Sequence, residues 1–425
     1  MDAATGAGAG PRAERRRGIR ALTLGLVFLL PAVSLAQSIP YATNGVQMGS
    51  GRLHAWFDLE SRFDSAAGFF PDTDVAGSPL TLQGEFLWFL RPGLRLQLPG
   101  DSVDFTVGGN LEYVAYSGLL TPGSTSANRL QAAADLALTV NKSGVVELQL
   151  TDTFNRTDRT TNAAVGFGVL ALTNVVSLKV PIRPGGGALE ITPGGEFGLE
   201  YLTPLATQAG VCADASCDPT TVSQFDTQRY GGSLSVRWNF LPRTTLILDN
   251  AFNQNVFPNG STPATSLFQS TLGLAGLITQ KLSLNAKAGW AQNFGALGGS
   301  TVVGQAELSI PPTPMSMVSA GYARNLRPMS LYGTVVNDRI YASGRMLMGG
   351  KLSLRADAGY NWLNFQGGSG RTDTMLNAAL APEYEVLPWF LVAAGYQLEL
   401  RDSSTGAASL NLARHEVMLR LTARY

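Results

Sequence analysis

The chain has 425 residues, 45% of them apolar and only 15% charged, with 48 glycines and no net charge. Neutrality excludes electrostatic steering towards nucleic acid, and no stretch after the amino terminus holds 18 uninterrupted apolar residues, which excludes helical membrane spans. Such a length leaves room for two or three soluble domains or for one large barrel.

At the amino terminus Arg12, Arg15, Arg16, Arg17 and Arg20 precede the apolar run ALTLGLVFLLPAVSLA. A basic segment, an apolar segment and small residues at Ser34 and Ala36 describe a secretory signal peptide over residues 1–36, with cleavage expected after Ala36. The alternative, a membrane anchor, is short of the roughly 20 residues a helix needs to span. Residues 37–50 form a polar, periplasmic lead-in, and residues 51–425 form the exported domain.

The first strand is expected in GRLHAWFDLE, residues 51–60. Leu53, Ala55, Phe57 and Leu59 share one face and Arg52, His54, Trp56, Asp58 and Glu60 the other. That is the period of two of a strand, but the polar face is too charged for a sandwich core. A loop over residues 61–78 separates it from a run beginning at Leu80, which turns at PGDS, residues 99–102. The return strand sets Val103, Phe105, Val107, Leu111 and Tyr113 against Asp104, Thr106, Asn110 and Glu112.

The same hairpin form then repeats. Short turns are read at residues 99–102, 141–144, 183–186, 241–244, 278–281, 311–314, 348–351 and 386–389. Longer connections fall at residues 61–78, 118–128, 157–164, 202–226, 258–264, 295–300, 325–331, 367–372 and 402–409. Eight short turns pair sixteen strands, and unpaired first and last strands bring the total to eighteen, with sixteen as the alternative. Eighteen strands leave about 22 residues for each strand with its share of loop, which suits a transmembrane barrel. An all-β, antiparallel, up-and-down transmembrane β-barrel follows. A soluble sandwich or propeller would have to expose one of two faces that this chain makes apolar and charged in nearly every strand.

Trp238, Trp290, Tyr360, Trp389 and Tyr425 recur near strand ends, where membrane barrels carry aromatic girdles. The closing segment HEVMLRLTARY alternates Val417, Leu419, Leu421, Ala423 and Tyr425 with Met418, Arg420, Thr422 and Arg424. It is expected to pair with residues 52–60, with Tyr425 as interface anchor and assembly signal for the barrel assembly machinery. The apolar face would meet outer-membrane lipid.

The opposite face is the expected pore lining. Its acids include Asp58, Glu60, Glu85, Asp104, Glu112, Glu196, Glu200 and Asp357. Its bases include Arg52, Arg237, Lys287, Arg345, Arg355, Arg420 and Arg424. A barrel of this size leaves an aqueous channel unless a loop plugs it, and a balanced lining gives it weak ion selectivity. Trp56 and Tyr341 are lumen aromatics able to stack on sugar rings.

Cys212 and Cys217 lie in the longest loop of an exported chain, which favours a loop-stapling disulfide over a metal pair. No metal site and no cofactor are expected. The two histidines, His54 and His415, lack a serine elbow or comparable nucleophile, so no catalytic residues are assigned and the chain is not read as an enzyme.

The phrases LPRTTLILDNAF, LSLNAKAGW, LSLRADAGYNW, LPWFLVAAGYQLEL and RHEVMLRLTARY resemble the β-barrel porins grouped as "β-barrel porin 2". Within that set the chain is similar to the Wzp-type barrels that accompany exopolysaccharide export. The resemblance implies passive translocation of a polymer across the outer membrane, handed over by a periplasmic polysaccharide export protein. The alternative is a diffusion porin for small hydrophilic solutes, and a more remote one is an outer-membrane hydrolase.

Overall fold

The computed structural model describes residues 45–71, 80–158, 169–204, 222–260, 263–295, 298–329, 333–366, 370–404 and 411–425. The expected signal peptide, its cleavage point after Ala36, and Cys212 and Cys217 lie outside the described residues.

A three-residue strand, β1 (Val46–Met48), precedes the wall. The wall strands are β2 (Gly51–Pro71), β3 (Leu80–Leu98), β4 (Val103–Tyr116), β5 (Arg129–Val140), β6 (Leu148–Thr157) and β7 (Val169–Lys179). They continue as β8 (Leu189–Pro204), β9 (Thr227–Leu241), β10 (Thr244–Val256), β11 (Thr265–Leu277), β12 (Ser283–Asn293) and β13 (Ser300–Ile310). The last six are β14 (Ser316–Met329), β15 (Gly333–Met348), β16 (Leu352–Phe365), β17 (Thr372–Leu387), β18 (Phe390–Ser403) and β19 (Leu412–Arg424). Each pairs antiparallel with its chain neighbours, and β19 returns to β2, closing an eighteen-stranded barrel. Closure satisfies both edges of the sheet, the condition for a β-structure to stand in hydrocarbon, where no water can take an open backbone group.

Alternation dictates the two faces. Leu94, Leu111, Leu272, Val302, Ile340 and Leu419 are each more than half exposed on the outside, while their sequence neighbours point inward. Outward aromatics form two belts. Trp88, Tyr113, Tyr230, Phe252, Trp290 and Tyr322 lie towards the long loops, and Phe240, Trp238, Trp389 and Tyr425 towards the short turns. An apolar band between aromatic girdles is the lipid-facing surface of such barrels.

All eight expected short turns fall between consecutive strands. In residues 348–351 the two central glycines have φ of 57° and 71°, the left-handed pair that a two-residue hairpin needs to follow strand twist.

The structure corrects three expectations. Residues 61–71 are strand and not loop, because the inward series passes on from Glu60 through Arg62 and Asp64. Residues 325–329 likewise continue β14, so the connection there shrinks to residues 330–332. The closing register is also shifted: β19 pairs with residues 56–64, from Arg424↔Trp56 to Glu416↔Asp64. Arg52 and Leu53 are taken instead by β1, so part of the expected lead-in continues the edge where β19 stops.

Candidate functional site

By strand register the fifteen charged residues assigned to the pore by alternation fall on the face opposite the exposed apolar series. The acids are Asp58, Glu60, Glu85, Asp104, Glu112, Glu196, Glu200 and Asp357, and the bases Arg52, Arg237, Lys287, Arg345, Arg355, Arg420 and Arg424. They are not scattered evenly. Glu60, fully buried, accepts from Arg62 Nε at 2.8 Å and from Arg91 Nη1 at 2.8 Å, and Arg91 also bonds Glu112. The chain of charges continues across the closing seam, where Arg414 Nε donates to Asp64 Oδ1 at 3.0 Å and lies 3.0 Å from Glu416. Phe89 lies beneath both Arg62 and Arg91, 4.3 and 4.8 Å from its ring centre. Acid and base thus alternate across β19, β2, β3 and β4 as one ladder. Low surroundings of water strengthen such pairs and make each member costly to remove singly.

Other interior charges are paired as well, some across strands and some within one strand or to a turn. Arg424 reaches Glu385 at 2.7 Å, Arg420 reaches Glu383 at 3.4 Å, and Asp58 accepts from Thr422 Oγ1 at 2.6 Å. Lys287 reaches Asp249 at 3.3 Å, Arg355 reaches Asp357 at 2.7 Å, and Asp104 bonds Lys142. At the turn end Arg183 bridges Glu147 and Glu190, at 2.8 and 2.7 Å; this raises its pKa.

The lumen is narrowed at its loop end by three inward segments. The first is the β4–β5 connection, whose 3-10 turn Ser124–Ala127 rests on the wall over Glu85. That buried carboxylate accepts from Thr121 N at 2.9 Å, Ser124 Oγ at 3.0 Å and Ser117 Oγ at 2.8 Å. The second precedes β9: Val222 and Phe225 pack on inward Val169, Ala171 and Leu202, and Asp226 accepts from Leu202 N at 2.8 Å.

The third is the end of the β14–β15 hairpin. Leu326 and Val336 occupy outward positions by alternation, yet they are buried against Leu267, Ala291 and Val303, which point inward from β11, β12 and β13. Asn293 Nδ2 donates to Thr334 Oγ1 at 2.8 Å across the same contact. The hairpin end has therefore bent through the wall line into the lumen and lies with its outer face on the inner face of its neighbours. There Arg327 stands within Coulombic range of Arg229, Arg339 and Glu200, and Arg229 is itself bonded to Glu196.

Trp56 and Tyr341 both face inward and lie over glycines, Gly93 and Gly321. Tyr341 donates to Glu307 Oε2 at 2.7 Å. His54 is buried on the inner face near the turns, whereas His415 faces outward and meets the Tyr396 hydroxyl at 2.9 Å. The two histidines are on opposite faces. Among the described residues no group of His, Cys, Asp and Glu is arranged to hold a metal.

Arg62, Asp64 and Arg327 were assigned to loops by sequence and emerge as interior residues. The continuing period of two past Glu60 carried the signal for the first pair.

No protein-family model matches the sequence, and no curated protein matches it. Among solved structures, Pseudomonas aeruginosa OccK2 (OpdF) in complex with glucuronate is similar at 10% identity, over 88% of this chain and 97% of that one, with a TM-score of 0.48. P. aeruginosa OpdK with vanillate is similar at 12% identity, over 88% and 98%, with a TM-score of 0.46. A mutant of the ferric enterobactin receptor of the same organism is similar at 10% identity, over 89% and 81%, with a TM-score of 0.46. At such identities the likeness is one of barrel shape alone. A closed eighteen-stranded wall, an apolar outer band between aromatic girdles and a charged interior make this chain an integral outer-membrane β-barrel.

Proposed function

We propose that the chain is a diffusion channel for small hydrophilic solutes. The observation that carries this reading is the β14–β15 hairpin end inside the lumen, held by Leu326, Val336 and the Asn293–Thr334 bond. A polymer in transit needs an open bore along its whole path, while a small solute needs only a gap lined by polar groups. Inward segments on several sides of the loop end therefore favour the solute channel over the exopolysaccharide export that the sequence resemblance implies. A periplasmic export partner is not required by this reading.

On the constricting side the arginines Arg327, Arg229 and Arg339 outnumber the neighbouring Glu196 and Glu200, and this excess of positive charge favours small anions over cations, since fixed charge in a narrow, poorly screened bore raises the local concentration of its counterion. The test is the reversal potential of the reconstituted full chain under a potassium chloride gradient, together with liposome swelling in sugars of rising size. Anion preference that is lost in Arg327→Ala, with exclusion of larger sugars, is the expected result. In a second variant, Leu326→Asp, the hairpin end should leave the wall, raising conductance severalfold and admitting larger sugars. Unrestricted passage of long oligosaccharides through the unaltered chain, with surface polysaccharide lost on gene deletion, would overturn the proposal in favour of export.

A further inference from the structure

The outward face of the wall carries ionisable side chains in few places. Among the described strand residues, Arg324 and Asp338 sit at the bent hairpin, and Asp402 and His415 lie towards the loop end of β18 and β19. β6 is the exception: Arg156 is near its loop end, but Asp152 stands in its middle. Asp152 is registered with Leu136 on β5 and Val176 on β7, and Leu150 and Phe154 flank it along its own strand. Its surroundings on the lipid side are therefore apolar. Asn174, on the same face of β7, donates from Nδ2 to Asp152 Oδ1 at 2.8 Å.

A carboxylate at that depth is costly against hydrocarbon. Among the described residues, Asp152 Oδ2 and the second Nδ2 hydrogen of Asn174 have no hydrogen-bond partner, and lipid tails cannot supply one. The same sector also lacks interface anchors. β5, β6 and β7 contain no Trp or Tyr, whereas β4 and β8 on either side present Tyr113 and Tyr201 outward. A surface covered by protein has no headgroup layer to anchor in. Gly109, Ala132 and Ala134 keep the adjoining outward surface shallow. Within a membrane, protein surfaces associate through such small residues and through hydrogen bonds, because lipid is as apolar as any side chain.

We propose that the outward face of β5–β7 is the contact surface for a second copy of this chain, related by a two-fold axis along the membrane normal. The polar pair selects that occupant. Such an axis sets each residue against residues of its own depth in the other copy, and Asp152 and Asn174, bonded to each other, share one depth. Together they offer one spare acceptor and one spare donor. A second copy offers the same two, so each Asp152 Oδ2 accepts from Asn174 of the other copy and all four groups are satisfied. The contact lies outside the wall and is independent of the solute that passes.

The experiment uses the full chain with Cys212→Ser and Cys217→Ser, reconstituted in phosphatidylethanolamine and phosphatidylglycerol vesicles. A dye on Lys281→Cys, at an exposed turn, is counted by its photobleaching steps. Two steps per particle are expected. Asp152→Leu and Asn174→Leu should each raise the dissociation constant of the pair tenfold or more and give single steps, whereas Asp152→Asn, which keeps an acceptor, should retain two. Oxidation should link Val176→Cys into a pair and leave Leu419→Cys, exposed on β19, unlinked. Heat-modifiable mobility and unchanged single-channel conductance show that the leucine variants still form barrels. Single steps without the leucine changes mean that lipid covers the face, and three steps exclude a two-fold pair. Either result overturns the proposal, as do two steps that survive both leucine changes or equal linking at positions 176 and 419.

Discussion

Trp56 lies with its indole against the bare Cα of Gly93, its registered neighbour on the adjoining strand. A side chain on Gly93 would have to occupy the space of that ring. Gly108 stands in the same relation to Arg95 and Gly395 to Met418, so part of the glycine excess is a means of laying long inward side chains flat on the wall. Gly93→Val is expected to destabilise the barrel by about 1–3 kcal/mol, the usual cost of overpacking. Trp56→Ala should relieve most of that loss, giving a strong coupling in a double-mutant cycle. Unfolding by urea in lipid vesicles measures both, and additive effects of the two changes would contradict the contact.

Glu60 sits between two guanidiniums, with its side chain fully buried. Substituting Glu60→Ala leaves Arg62 and Arg91 facing one another over Phe89 with one carboxylate fewer. Breaking a buried pair from one side typically costs about 3–5 kcal/mol, and the same range is expected here. The double change Glu60→Leu with Arg62→Leu should cost much less, because no uncompensated charge remains. The midpoint of denaturant unfolding checks this. A Glu60→Ala barrel as stable as the original would show that Glu112 and Glu416 suffice to hold both arginines.

Asp226 gives the loop end a pH dependence. Burial raises its pKa above the ordinary 3.8, and the bonds from Leu202 N and Asn259 Nδ2 offset part of the rise. An acid whose folded pKa is raised binds its proton more tightly when folded. Its contribution is therefore full below the ordinary value and is lost as pH climbs through the raised one. The Leu202 amide, read by hydrogen exchange corrected for intrinsic rate, should become less protected from acid towards neutral pH, and Asp226→Asn should flatten that trend. Protection that increases with pH would reverse the assignment.

The wall was legible in the sequence because lipid and water impose opposite demands on alternate residues, and Gly, Pro and Asn mark the turns. Arg237 and Trp238, or Arg420 and Leu419, declare their faces without any neighbour being known. Strand ends were less legible. Arg62 and Asp64 were assigned to a loop although they continue the inward series, since Gly68 and the Pro and Asp residues beyond Pro71 dominate the local composition. The bent hairpin left no signal at all. Leu326 and Val336 are as apolar as residues that meet lipid, and the inner wall of β11–β13 is offered by Leu267, Ala291 and Val303, which look like ordinary strand residues. Only the three-dimensional arrangement tells an apolar residue against lipid from one against the inside of its own barrel.

The closing strand separates two roles of the carboxy-terminal residue. Tyr425 N donates to Ala55 O at 2.8 Å and Ala55 N donates to Tyr425 O at 3.3 Å, while its ring is largely exposed at the turn-end girdle. Deleting Tyr425 removes both the last closing bonds and the aromatic anchor, whereas Tyr425→Ala keeps the bonds and loses only the ring. If the ring serves as interface anchor and assembly signal, both variants should reach the outer membrane in reduced amount. If closure alone matters, only the deletion should. In either case single-channel conductance of the barrels that assemble should be unchanged, because Tyr425 points away from the lumen. Quantifying folded barrels by heat-modifiable gel mobility, beside conductance in planar bilayers, distinguishes these outcomes. Full outer-membrane levels of the deletion variant would contradict both roles, since β19 would then close on β2 through residues 416–424 without its terminal pair.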